Sequence, residues 1–196
     1  MFLRKKYRDA DKKILQDKVY VDASDGDAII NIKISDKEQI FSKYNYESDE
    51  KLNNDLGEFI YDKARFVSTN KDIRIKVFST LEIGQEEVES AIKNHYKKNY
   101  IETKNEMRRN LIFSIIMLAV GLLAFAFLLV MHKVMYNIYL EIVLEIITWV
   151  FIWEAVDSYC LKRVNLRREA FIFLNLYMAD IDVVNLKDVK HKEKES

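Results

Sequence analysis

Residues 139–159 read YLEIVLEIITWVFIWEAVDSY. Most of this stretch is oily enough for a bilayer, yet it carries Glu141, Glu145, Glu154 and Asp157. A charged side chain at the bilayer centre costs about 2.5–3.5 kcal/mol on insertion scales, and less towards the interface. Glu141, Glu145 and Thr148 share one helical stripe, and Glu154, Asp157 and Ser158 share another. Glu145 and Glu154 are nine residues apart, which turns them about 180° from each other on a helix. One helix cannot hide both stripes in a single seam. Acids near the ends can reach water, or pair with Lys133 at one end and Lys162 or Arg163 at the other. Alternatively, several copies can assemble around a wet cavity that carboxylates line, as acidic rings do in cation channels. Glu145 is the hardest acid to explain otherwise, about 6 Å along the axis from Trp149.

The neighbouring sequence supplies the membrane context. Leu111–Met131 is 21 residues without a charge. At 1.5 Å per residue it reaches about 31 Å, one hydrocarbon core. With Ile138–Leu161 as a second apolar run and only a short connection around HKVMYN, the pattern predicts a two-helix transmembrane hairpin. Lys97, Lys98, Lys104, Arg108 and Arg109 precede it, and Lys162, Arg163, Arg167 and Arg168 follow, against Lys133 in the connection. That asymmetry predicts both termini in the cytoplasm. Tyr136, Tyr139 and Tyr159 stand where interfacial aromatics belong. The opening MFLRKKYRDADKK lacks an apolar h-region and does not read as a signal peptide.

The average composition conceals this partition. The 196 residues carry 31 basic and 31 acidic side chains, so net charge favours no partner. There are no prolines and four glycines, which favours long unbroken helices. A lone cysteine, Cys160, excludes an intrachain disulfide and is expected to pack between helices.

Outside the apolar runs the chain reads α+β. AIINIKI (Ala28–Ile34), after the turn signal DGD, and DIRIKVF (Asp72–Phe78) read as strands. Leu52, Leu56, Phe59, Ile60 and Val67 lie between them at helical spacing. From Ile83 a second stripe through Val88, Ala91, Ile92, His95 and Tyr96 meets no breaker before Arg109, so this helix is expected to run into the first span. A helix and a strand, Asp180–Val184, follow the second span, and that strand can join the N-terminal sheet. The resulting division is 1–82 as an α+β domain, 83–110 as a linking helix, 111–161 as the hairpin (111–131 and 138–161) and 162–196 as helix, strand and charged tail.

Catalytic signatures are missing. His95, His132 and His191 are far apart, and no metal-ligand spacing, nucleotide-binding glycine loop or nucleophile motif occurs. No enzyme, cofactor or metal is expected. Glu86 and Glu87 suit the first turn of a helix, and His95 suits a packed position. The cations Arg74, Lys76, Lys97, Lys98, Lys104, Arg108 and Arg109 have two readings: topogenic charges at an anionic membrane surface, or a phosphate-binding surface for a nucleotide or oligonucleotide.

Trp149, Val150 and Trp153, followed by Leu166, Arg167 and Arg168, resemble a signature of small bacterial two-span membrane proteins. With LNNDLGEFIYDKARFV, DIRIKVF and ESAIKNHY the likeness covers about residues 52–184. The layout is also similar to channel effectors of the Hailong type of antiphage defence. The resemblance implies an inner-membrane homo-oligomer of three or more copies, gated by a nucleotide or short DNA that a partner nucleotidyltransferase makes. The rival reading is a membrane-anchored interaction module whose hairpin is only a tether.

Overall fold

The computed structural model describes residues 28–43, 51–67, 71–134 and 138–186. The DGD turn, Tyr136 and the tail with His191 lie outside them. The described elements run β1 (Ala28–Ile34), α1 (Lys37–Ile40), α2 (Asn54–Ala64), β2 (Ile73–Ser79), α3 (Gln85–Val134), α4 (Ile138–Asp157), a π-helical turn (Ser158–Lys162), α5 (Arg163–Met178) and β3 (Asp180–Asn185). The fold is thus mixed helix with a small sheet and one very long helix. The chain divides into two compact units, Met1–Lys97 with Ile172–Ser196, and Lys98–Phe171.

The first unit is built on a three-stranded parallel sheet ordered β1-β2-β3. Alternation makes the strands: Ile73, Ile75 and Val77 are buried while Arg74, Lys76 and Phe78 are half-exposed. Ile30, Ile32 and Ile34 of β1 and Ile181 of β3 extend the same apolar face. Helices cover it with Ile60 and Ala64 from α2, Val88, Ala91, Ile92 and Tyr96 from α3, and Ile172 and Leu176 from α5. The start of the expected linking helix is therefore core material. Asn53 caps α2, its Oδ1 accepting from the Asp55 amide at 2.9 Å.

Tyr96 is the largest buried side chain of this core. Its hydroxyl donates to the Gly57 carbonyl at 2.9 Å, and its ring lies 6.3 Å from that of Phe173. Burial pushes the phenol well above the ordinary tyrosine pKa. His95 packs edge-on to Tyr96 at 5.1 Å. It also crowds Gly57, where a Cβ would lie 2.6 Å from His95 Nε2, so α2 approaches α3 at a residue without a side chain.

Among the described residues one helix, Gln85–Lys133, is long and apolar enough to cross a membrane. α3 continues unbroken from the sheet unit into the second unit, where its apolar residues are mostly exposed: Ile115, Leu123 and Phe127 are examples. What it buries there is different in kind. From Ser114 onward its covered or half-covered positions are Ser114, Met117, Gly121, Ala124, Leu128 and Met131, stepping by three and four. Glu141, Leu144, Thr148, Phe151, Ala155 and Ser158 repeat that step along α4 and into the π-helical turn. A 3.5-residue repeat is the seam of left-handed helix packing. Small residues let backbones approach, as in membrane helix pairs. A Cβ on Gly121 would stand 2.9 Å from Ile152 Cγ1 and 3.3 Å from the Ile152 amide nitrogen.

Candidate functional site

The acids that open the sequence question do not converge within one chain. At the end of the helix pair nearest the connection, Glu141 Oε1 lies 2.9 Å from Nδ1 of His132. The expected cation there was Lys133; the histidine one residue earlier takes its place, because it lies across from the first turn of α4. At the opposite end Lys162 Nζ reaches Glu154 Oε1 at 3.2 Å, one of the pairings that the sequence offered. Asp157 is half-buried, and its carboxylate makes no hydrogen bond or ion pair among the described residues. Glu145 is exposed between Leu144 and Ile146 and is equally without a partner among the described residues. Trp149 and Trp153 are exposed on the same helix.

The polar atoms of the seam are otherwise satisfied. Thr148 Oγ1 donates back to the Leu144 carbonyl at 2.8 Å, and Ser114 Oγ to the Asn110 carbonyl at 2.8 Å. Where the seam ends, the chain turns π-helical at SYCLK, a geometry that alters the backbone hydrogen-bond ladder and concentrates at functional positions. Asn110 reaches across to this turn. Its Nδ2 donates to the Ser158 carbonyl at 2.6 Å, and its Oδ1 accepts from Ser158 Oγ at 2.9 Å. Ser158 is fully buried. Cys160, expected to pack, is instead exposed, because the π turn presents it outward. Arg163 holds its guanidinium over the Tyr159 ring at 5.3 Å and buries an Nε that has no hydrogen-bond partner among the described residues.

Beside the Asn110–Ser158 couple lies an open cleft of about 470 Å³, lined by Glu106, Arg109, Asn110, Phe113, Lys162, Asn165 and Leu166. Of the seven predicted phosphate-binding cations only Arg109 lines it. Lys97, Lys98, Lys104 and Arg108 are exposed along α3, with Lys98 Nζ 3.8 Å from Glu102 and Lys104 Nζ 5.4 Å from the Tyr100 ring centre. Arg74 and Lys76 do share the outer sheet face, but the register sets Asp180 beside Arg74 and Asp182 beside Lys76. Acids across the strand offset both charges. Among the described residues no group of three or more His, Cys, Asp or Glu could hold a metal ion.

Sequence reasoning missed three of these partners: His132, Asn110 and Ser158. The signal was present as small and polar residues recurring every three or four positions in both apolar runs. Compared with family models, with curated proteins and with solved structures, the chain matches none.

Proposed function

We propose that this protein is an oligomeric ion channel of the bacterial inner membrane. Helix α3 from about Leu111 and helix α4 cross the bilayer, and Glu145 draws cations to a shared axis. The observation that carries this reading is Glu145 itself, an exposed carboxylate among apolar side chains with no partner among the described residues. In lipid that position costs about 2.5–3.5 kcal/mol for each chain. Copies gathered around an axis return the carboxylates to water and make the ring typical of cation pores.

Strand pairing supports two crossings rather than one. β2 precedes the apolar helices and β3 follows them, yet the two are hydrogen-bonded neighbours. The flanking segments therefore share one side of any membrane, so a chain that crosses with α3 must return. α4 supplies 20 residues for the return in spite of its acids. The Lys and Arg residues that flank the pair favour the cytoplasm as the shared side. Control of the gate by a nucleotide or oligonucleotide, and a role in antiphage defence, extend the proposal from the sequence resemblance.

A tethered interaction module is the second reading. It draws on the pairing of Glu141 with His132 and Glu154 with Lys162, and on a seam that closes within one chain. Mass in detergent and ion flux into vesicles separate the two. A ring of three or more chains that conducts cations, with flux reduced in Glu145→Gln, supports the channel. A monomer, or flux untouched by Glu145→Gln, sinks it.

A further inference from the structure

The cleft beside Asn110 is lined by none of the four acids of the apolar helix, and its walls are specific. The side chains of Arg109 and Asn165 make no hydrogen bond or ion pair among the described residues. Lys162 adds a second cation, already turned towards Glu154. Phe113, one helical turn beyond Arg109 and inside the uncharged run, is 40% exposed and lines the same cleft. Glu106 stands one turn on the other side of Arg109, in the charged part of α3. The cleft is thus graded along α3: carboxylate, guanidinium, amide, then aromatic ring.

We propose that this cleft holds the headgroup of a membrane phospholipid. Arg109 and the Asn165 amide would donate to the phosphate, and Phe113 would meet the first apolar carbons below it. The proposal rests on the membrane reading above. Under that reading the chain itself sets the depth: Arg109 lies two residues before the uncharged run begins, where lipid phosphates sit. Inorganic phosphate would use the cations equally well but has no use for Phe113, and a nucleotide, whose base can stack on an aromatic ring, would have to reach a ring that lies inside the uncharged run, below the depth of the phosphates. An amphiphile matches both halves. The volume, about 470 Å³, is within the range of small-molecule sites. Guanidinium is the side chain best shaped for a phosphate, since it donates two parallel hydrogen bonds.

The test uses the full chain, purified in mild detergent and examined by native mass spectrometry for retained phospholipid. Wild type is expected to keep one phospholipid per chain through washing. The double variant Arg109→Gln, Asn165→Leu is expected to lose at least about tenfold in retention, the size of one charged hydrogen bond alone. Lys104→Gln, outside the cleft, should behave as wild type. Flotation with vesicles of phosphatidylethanolamine and phosphatidylglycerol accompanies each sample. If wild type and double variant float alike and retain lipid alike, the headgroup site is wrong while membrane insertion stands. If inorganic phosphate or adenosine monophosphate displaces the retained lipid from wild type, the cleft is a soluble-phosphate site and the proposal is overturned. If wild type fails to float, the membrane reading falls and takes the proposal with it.

Discussion

Asn110 and Ser158 hold each other through two hydrogen bonds, one to the Ser158 carbonyl at 2.6 Å and one from its hydroxyl at 2.9 Å. The pair ties the turn of α3 just before its uncharged run to the π-helical turn that follows α4. Asn110→Leu should lower the melting temperature in detergent, and the loss should correspond to about 1–2 kcal/mol. Ser158→Ala keeps the carbonyl contact and should cost less. A double-mutant cycle that returns no coupling between the two positions would show the pair to be incidental.

Gly121 marks the closest approach in the seam. Gly121→Leu places a large side chain where even a Cβ would stand 2.9 Å from Ile152. Overpacking of this kind costs about 1–3 kcal/mol. Thermal unfolding in detergent is expected to show that loss, with Gly121→Ala intermediate. An unchanged melting temperature for Gly121→Leu would mean that the helices do not meet there.

Tyr96 makes the sheet unit sensitive to alkali. The buried phenol has a raised pKa, so on raising the pH the unfolded chain gives up this proton first. Its contribution to stability is complete below the unfolded pKa of about 10 and declines above it, by about 1.4 kcal/mol for each pH unit. Tyr96→Phe loses the bond to Gly57, about 0.5–1.5 kcal/mol at neutral pH. The variant should also show a shallower decline above pH 10. Equal slopes for both proteins in denaturant titrations would contradict a buried neutral phenol.

Side-specific cysteine labelling addresses the topology. With Cys160 replaced by serine, Lys104→Cys and Arg168→Cys should both react only from the cytoplasmic side, and Lys133→Cys only from the other. Opposite sidedness for positions 104 and 168 would conflict with the pairing of β2 and β3.

Glu141 and Glu145 should separate functionally although they lie four residues apart. Glu141 has His132 beside it, and Glu145 has no partner among the described residues. Neutralising Glu145 is expected to change cation flux several-fold, and neutralising Glu141 to affect it less. A reversed order in single-channel recordings would move the proposed cation-attracting position from Glu145 to Glu141.

Much of the fold was legible in the chain because its local signals are strong. The alternation of Ile73, Ile75 and Val77 specifies a half-buried strand, and an uncharged run from Leu111 to Met131 specifies a helix long enough for a bilayer. The absence of proline allows that helix to begin in the core of the sheet unit and continue unbroken. What the chain could not declare by itself was pairing. That His132 rather than Lys133 meets Glu141, that Asn110 grips Ser158 across 48 residues, and that Asp180 and Asp182 lie beside Arg74 and Lys76 follow from register. Register is set by which surfaces come together, and periodicity along a single element carries no record of its neighbour. Composition determined the elements, and close packing at Gly121 and strand pairing at β2 decided which side chains would meet.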